Sequence, residues 1–270
     1  MTPAPPTPLP ELNAVLRDLI TSVQSILGDN FVAAYLQGSF AVGDFDNDSD
    51  VDFLVVVEDE ASEDHAAALQ ALHARLCDLD SYWARHLEGS YFPKATLRRF
   101  DPTRSPPLYV DNGSRELVRS DHDNTLVVRW ALREYGITLA GPDAHTLIDP
   151  VPASELRQEV SATMRRWAEM IFAEPEQMNN RWYQPFAVLS YCRMLHTLHT
   201  GRVGSKPAGA EWAAGALDSR WSGLIQRARQ ERPDQYLKIH QPADAADFNS
   251  TLEFIKYALD VSRQYETTKL

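Results

Sequence analysis

Residues 35–57 read YLQGSFAVGDFDNDSDVDFLVVV. The last eight residues of this stretch are rich in β-branched and apolar side chains, a composition typical of a buried strand. Side chains alternate between the two faces of a strand, so Asp50 and Asp52 point the same way, with Cα atoms about 6.5–7 Å apart. Two carboxylates this close repel each other unless a cation lies between them, and their oxygens suit Mg²⁺. The stretch therefore predicts a Mg²⁺ site at the start of a strand.

Gly38 and Ser39 precede this strand and supply groups that bind a phosphate. Glycine lets the backbone approach an anion closely, and Ser39 adds a hydroxyl and an N–H donor. A helix predicted to begin near Phe40 would turn its first N–H groups toward the same anion. Nucleotidyl transfer requires metal ions that bind the triphosphate and a protein that positions the triphosphate and neutralises its charge. A nucleotidyltransferase site is therefore the favoured interpretation.

Two other interpretations of the acidic loop deserve comparison. A calcium-binding EF-hand loop does not fit, because a register that begins at Asp44 puts Ser49 at the glycine position and Val55 at the glutamate position. A start at Asp46 fits no better. A solvated, aspartate-rich turn stays open as the alternative to a metal site.

The composition limits the class of protein. The chain has 270 residues, of which 44% are hydrophobic and 24% are charged, which is ordinary for a globular protein. Its net charge of −12 disfavours broad nucleic-acid binding and favours a small or cationic substrate, although a solubilising surface is the alternative. Cys77 and Cys192 are far apart and lack metal-ligand spacing, which predicts a reduced, cytoplasmic protein. With no signal peptide and no long apolar run, we expect no membrane partner.

The periodicity of apolar residues predicts an α+β fold in two domains. Residues 1–10 are proline-rich and are expected to form a flexible tail. Residues 11–150 are predicted to form a catalytic domain with a mixed sheet and helices, and residues 151–270 an all-α helical bundle. In the first domain we expect a helix over 12–27, strands over 31–36, 50–57 and 87–92, and a helix over 62–80. In the second domain we expect helices over 154–173, 185–200, 208–216, 221–230 and 245–265.

Glu88 lies on the predicted strand 87–92. A third carboxylate beside Asp50 and Asp52 could bind metal or take the proton from an attacking hydroxyl. An exposed glutamate on an edge strand is the alternative interpretation.

The second half contributes basic and aromatic candidates. Arg193, Arg202 and Lys206 could neutralise a triphosphate, arginine as a planar fork and lysine as a point charge. Surface positions are the alternative, particularly for Arg202. Trp167, Trp182 and Tyr183 could stack against a sugar ring, or they could be core aromatics.

Gly38-Ser39 with Asp50-x-Asp52 resembles the polymerase-β-like nucleotidyltransferase superfamily. Segments of the second half are similar to the aminoglycoside 3″/9 adenylyltransferase family, which modifies streptomycin and spectinomycin. These segments are residues 137–143, 149–152, 189–193, 200–206 and 211–213. The resemblance implies transfer of AMP from ATP to a hydroxyl, with release of pyrophosphate.

The resemblance also implies roles for individual residues. Asp50, Asp52 and Glu88 would bind Mg²⁺, with two ions expected, and Glu88 would be the catalytic base. The remaining implied nucleotide contacts are Gly38, Ser39, Ser49, Arg193 and Lys206. In the family the antibiotic binds between the two domains, and we expect a monomer.

Substrate selection is where the sequence departs from the family. Trp167 matches a family position, but the segment after it is longer here. Glu174 and Glu176 are candidates to replace the aspartates that help to select streptomycin, because an anionic surface suits a polycation. A solvated loop is the alternative for both.

Two rival functions follow from the same residues. One is adenylyl transfer to another metabolite or to a protein hydroxyl. The other is a nucleotide-binding regulatory module without turnover, against which the presence of Asp50, Asp52 and Glu88 argues.

Overall fold

The computed structural model describes residues 5–46, 49–231 and 238–265. The chain divides into two compact units, Met1–Val151 and Pro152–Leu270. The division falls inside the proline-containing segment 149–152 and lies one residue from the predicted domain boundary. The overall fold class, a mixed sheet with helices followed by a helical domain, is as predicted.

The first unit is built on a six-stranded sheet with the order β5-β4-β3-β2-β1-β6. Strands β2 and β3 are parallel, and every other neighbouring pair is antiparallel. The strands are β1 (Phe31–Leu36), β2 (Val51–Val57), β3 (Leu87–Pro93), β4 (Leu108–Val110), β5 (Leu117–Arg119) and β6 (Ile137–Ala140). The helices are α1 (Pro10–Leu27), α2 (Gly38–Val42), α3 (Glu63–Cys77), α4 (Lys94–Arg98), α5 (Leu126–Tyr135) and α6 (Ala144–Leu147).

Strand β2 lies at the centre of the sheet and is buried on both faces. Phe53 and Val55 point into one apolar cluster, which includes α1 and α3. Leu54 and Val56 point into a second cluster on the other face, which includes α5 and α6. Burial on both faces explains why β2 is a continuous apolar run rather than an alternating one.

The structure describes residues 5–10 of the predicted flexible tail, and Thr7 in this segment contacts α1. Thr7 is buried and is held to Asn13, whose side-chain amide donates to the Thr7 carbonyl oxygen at 2.7 Å. Pro10 already begins α1, because proline has no N–H to lose in a first helical turn. Residues 1–4 lie outside the described residues.

The second unit is helical in its described parts. Its helices are α7 (Ala153–Ala173), α8 (Tyr183–Thr200), α9 (Lys206–Ala216), α10 (Ser222–Glu231) and α11 (Ala245–Ser262). Helix α8 packs against each of the other four, and most of its residues are buried. Short 3-10 turns in the two units span Gly28–Asn30, Trp83–His86, Pro175–Met178, Ser219–Trp221 and Arg263–Tyr265.

Every helix that the structure describes is too short or too polar to cross a membrane.

His73 gives the first unit a pH-dependent stability. The side chain is 2% exposed, its Nε2 atom lies 2.7 Å from the Tyr91 hydroxyl oxygen, and its ring stacks on Phe53. Burial lowers the pKa of His73 from 6.5 to about 4. Between these values the unfolded chain binds a proton that the folded chain does not, so stability is lost as the pH falls.

We predict that the free energy of unfolding, measured with urea, falls by about 2 kcal/mol between pH 7 and pH 5 because of this one group. His73→Gln should remove that part of the pH dependence, whereas His240→Gln, at an exposed position, should keep it. An unchanged pH dependence in His73→Gln would contradict the assignment.

Candidate functional site

The end of β1 and the starts of β2 and β3 lie side by side at one edge of the sheet. Leu36 at the end of β1 is opposite Phe53 near the start of β2. The Gln37 N–H donates to the carbonyl oxygen of Asp52 at 2.8 Å. In the parallel pair β2–β3, Asp52 is directly opposite Glu88. The register therefore brings two of the predicted carboxylates together.

Gly38 lies against one of these carboxylates. Its φ of +62° is a left-handed conformation that favours glycine. A Cβ atom placed on Gly38 would overlap the Oδ2 atom of Asp52. Both the backbone conformation and the packing of the Asp52 carboxylate therefore require a glycine at position 38.

Ser39 and Ser49 lie in the connection between β1 and β2. Ser39 is in the first turn of α2, which is anchored by Phe40, a buried residue stacked on Phe45 with ring centres 4.5 Å apart. Ser49 is buried and holds the loop closed: its hydroxyl donates to Asp46 Oδ1 at 2.8 Å and accepts from the Asp46 N–H at 2.9 Å. Residues 47 and 48 lie outside the described residues.

Asp50 comes immediately before β2 and is partly buried. The side-chain amide of Asn112 donates to its Oδ1 atom at 2.5 Å. Asn112 follows β4, so the neighbouring hairpin contacts the start of β2 across the sheet edge.

Glu88 has a side chain that is 13% exposed and receives two hydrogen bonds on one oxygen. The Tyr109 hydroxyl donates to Oε1 at 2.7 Å and also lies 3.0 Å from Asp111 Oδ1. The Nε2 atom of His122 lies 3.1 Å from the same Oε1 atom. The rings of Tyr109 and His122 stack with centres 5.0 Å apart.

The electrostatics of this group follow from its contacts. The hydrogen bond to Glu88 raises the pKa of His122 to about 9, so its imidazole is charged at neutral pH. Burial and the hydrogen bond to Glu88 both raise the pKa of Tyr109, which therefore stays a neutral donor. Burial raises the pKa of Asp123, against the opposing effect of the Ser90 hydroxyl that donates to it at 2.6 Å.

The sequence does not single out Tyr109, Asn112, His122 or Asp123. They lie on or beside strands of three residues, within a region whose pattern predicts only an irregular connection with one hairpin. The one sequence feature that could have indicated a functional position here is the pair of acidic residues on either side of His122.

The carboxylates at this edge could hold a divalent cation. Their donors are carboxylate oxygens, as Mg²⁺ prefers. Over residues 5–46, 49–231 and 238–265, no three His, Cys, Asp or Glu side chains form a complete metal-binding group. Mg²⁺ usually binds through one or two carboxylates and completes its shell with water and substrate phosphates.

The basic candidates lie in the second unit. Arg193 is on α8 and is partly buried, and α9 approaches it closely: a Cβ atom on Gly209 would lie 2.6 Å from the Arg193 Cα. Lys206 is the first residue of α9, and its Nζ atom lies 4.5 Å from the centre of the Phe186 ring. Arg202 is exposed.

Trp167 belongs to an aromatic group on α7 and α8. The Phe186 ring stacks with that of Trp182 at 5.2 Å and with that of Trp167 at 6.0 Å. Trp182, Phe186 and Lys206 also line one small pocket. Trp167 and Lys206 therefore both contact the ring of Phe186.

Glu174 and Glu176 are both exposed, next to the 3-10 turn Pro175–Met178 or within it. The side-chain amide of Gln177 donates to Glu174, and that of Asn179 donates to Glu176 at 3.0 Å. These two carboxylates thus make hydrogen bonds within their own turn.

The chain matches two family models in sequence order. Residues 16–96 match the nucleotidyltransferase domain, and residues 146–258 match the C-terminal domain of aminoglycoside adenylyltransferase. The first match contains Gly38, Asp52 and Glu88, and the second contains Arg193 and Lys206.

Two adenylyltransferases match the chain over most of their length. An aminoglycoside (3″)(9) adenylyltransferase from Shigella flexneri is 25% identical over 264 residues, which cover 92% of this chain and 93% of the relative. A spectinomycin 9-adenylyltransferase from Staphylococcus aureus (strain Mu50) is 26% identical over 223 residues, covering 77% and 80%.

A solved structure shows the same fold. The crystal structure of spectinomycin adenyltransferase AAD(9) from Enterococcus faecialis, with ATP and spectinomycin, superposes with a TM-score of 0.67 at 15% identity. The superposition covers 93% of this chain and 98% of the other. The two family models and the relatives together identify the chain as a nucleotidyltransferase that is similar to the aminoglycoside 3″/9 adenylyltransferases.

Proposed function

We propose that this chain transfers AMP from ATP to a hydroxyl of a cationic small molecule, an aminoglycoside-type antibiotic such as streptomycin or spectinomycin. The observation that carries the proposal is the register that sets Asp52 opposite Glu88, with Gly38 packed against Asp52. The names of the relatives, which are adenylyltransferases of aminoglycosides or spectinomycin, support the choice of acceptor. We propose that the reaction takes place in the cytoplasm.

Asp50, Asp52 and Glu88 are the proposed ligands of two Mg²⁺ ions. The donor set supports this assignment, because hard carboxylate oxygens match a hard cation. When bound, Mg²⁺ neutralises the triphosphate and polarises its oxygens. The Asn112 amide donates to Asp50 and thereby orients it.

The protein itself supplies a base and a set of anion-binding groups. Glu88 accepts the proton of the acceptor hydroxyl, whose oxygen forms a bond to the α-phosphorus. The bond between the α- and β-phosphates breaks, and pyrophosphate leaves with its electron pair. The proposed nucleotide-binding residues are Gly38, Ser39, Ser49, Arg193 and Lys206, whose N–H, hydroxyl and cationic groups can donate to phosphate oxygens.

The acceptor is proposed to contact Trp167, Glu174 and Glu176. The aromatic group of Trp167, Phe186 and Trp182 supports stacking against a ring and attraction of an ammonium group. The exposed carboxylates of Glu174 and Glu176 and the net charge of −12 support a cationic acceptor.

The direct test is release of pyrophosphate from ATP with Mg²⁺ across a panel of aminoglycosides and spectinomycin. We expect turnover with at least one compound, and loss of turnover with EDTA that Mg²⁺ restores. Glu88→Gln should lower kcat by about 10²–10⁴-fold, the usual contribution of a general base. Asp52→Asn should abolish turnover, because it removes a charged metal ligand.

Asp18→Asn is the matched control, because Asp18 pairs with Arg75 on the surface. ATP binding without turnover on any compound would contradict the proposal and favour a regulatory nucleotide-binding module. Full activity of Asp52→Asn would contradict the assigned site.

Alanine substitutions at Gly38 and Gly43 distinguish the loss of the contact with Asp52 from the strain of the backbone. Gly38 and Gly43 have similar positive φ angles, +62° and +76°, so an alanine strains the backbone at both, at a cost of about 1–3 kcal/mol. A Cβ atom on Gly43 meets nothing within 4 Å, whereas one on Gly38 overlaps Asp52.

We predict that Gly38→Ala lowers kcat/KM by about 10²-fold or more, because small misplacements of reacting groups have effects of that size. Gly43→Ala should lose comparable thermal stability and keep most of its activity. Equal kcat/KM in the two variants would show that the contact of Gly38 with Asp52 has no catalytic role.

A further inference from the structure

Two side chains from different parts of the hairpin region converge on a single oxygen of Glu88. Tyr109 comes from β4, and His122 follows the end of β5 by three residues. Their polar atoms lie 2.7 Å and 3.1 Å from Oε1. The stacking of the two rings, inclined by only 20°, sets both donors against the same face of the site.

The sheet fixes the position of Tyr109 independently of its contact with Glu88. It is buried and lies on β4 directly opposite Ser90, two residues beyond Glu88 on β3. Side chains two residues apart on a strand share a face, so the Tyr109 ring runs along the face that carries Glu88. Its position is thus fixed by the sheet rather than by a loop.

His122 is held by the residues that follow it. Asp123 is buried and accepts the hydrogen bond of the Ser90 hydroxyl. The side-chain oxygen of Asn124 accepts from Nη2 of Arg129 at 2.8 Å, inside the core. These hydrogen bonds fix the backbone at residues 123 and 124, and therefore also the position of the neighbouring His122 Cα atom. The His122 side chain itself is 57% exposed.

Such an arrangement restricts a flexible side chain. A glutamate loses rotamer freedom when it is ordered, and hydrogen bonds to a carboxylate are among the stronger ones in proteins. A base transfers a proton efficiently only when it is correctly oriented toward the acceptor hydroxyl. Two donors on Oε1 restrict the orientation of the Glu88 carboxylate.

We propose that Tyr109 and His122 are positioning residues, which fix the Glu88 carboxylate for abstraction of the acceptor proton. This inference rests on the proposed function, in which Glu88 is the base. In this proposal each of the two residues acts through its contact with Glu88. Loss of either donor lowers kcat and leaves the KM for ATP nearly unchanged.

The test compares Tyr109→Phe and His122→Ala with the matched variant Tyr91→Phe. Tyr91 is on the same strand as Glu88, and its hydroxyl also pairs with a histidine, the buried His73. Removal of either donor to Glu88 should lower kcat by about 10–100-fold, as is usual for partners of catalytic ligands. Tyr91→Phe should lower the Tm and keep kcat. His122→Gln, whose amide can still donate, should recover most of the activity lost in His122→Ala.

A double-mutant cycle separates positioning from a general structural effect. In a Glu88→Gln background, Tyr109→Phe should cause no further loss of kcat, because its effect passes through the missing carboxylate. A crystal structure of the double variant Tyr109→Phe/His122→Ala should show the Glu88 carboxylate turned away from its present orientation.

The outcomes distinguish this inference from the proposed function. A wild-type enzyme without turnover on any acceptor, or a fully active Glu88→Gln, would overturn the proposed function and this inference with it. An inactive Glu88→Gln together with wild-type kcat in Tyr109→Phe and His122→Ala would overturn this inference alone. Independent, multiplicative losses in the cycle would also overturn it.

Discussion

The parallel pairing of β2 with β3 is the constraint on which the site depends. It sets Asp52 opposite Glu88, and a slip of one residue would turn one of the two side chains to the other face of the sheet. The register is enforced by apolar packing on both faces of β2 and by Gly89, where any Cβ atom would overlap the Phe53 carbonyl oxygen. The relative position of Asp52 and Glu88 is therefore specified largely by core residues of β2 and β3.

Further contacts limit the movement of the three carboxylates Asp50, Asp52 and Glu88. Gly38 packs against Asp52, Asn112 holds Asp50, and the hairpin donors hold Glu88. Functional groups that must keep a fixed geometry need such supporting contacts, because an exposed carboxylate samples several rotamers. In the second unit, Lys206 and Trp167 are organised in a different way, through the ring of Phe186.

The elements with a strong local pattern could be predicted from the sequence, and the contacts between distant segments could not. The apolar run of β2, its acidic start and the Gly38-Ser39 pair are local features, and each predicts its structure directly. Tyr109 reaches Glu88 only through the pairing of β4 with β3, and His122 only through the segment after β5, both in a region of weak pattern. Proline-rich composition predicts a tail that includes Thr7, because composition carries no information about the hydrogen bonds between Thr7 and Asn13.

The most direct measurement of the central claim is a crystal structure of the enzyme with Mg²⁺ and a non-hydrolysable ATP analogue. We expect metal density in contact with Asp50 and Asp52, and the triphosphate against the backbone of Gly38 and Ser39. A nucleotide bound away from this edge of the sheet, or a metal ion with no contact to Asp52, would contradict it.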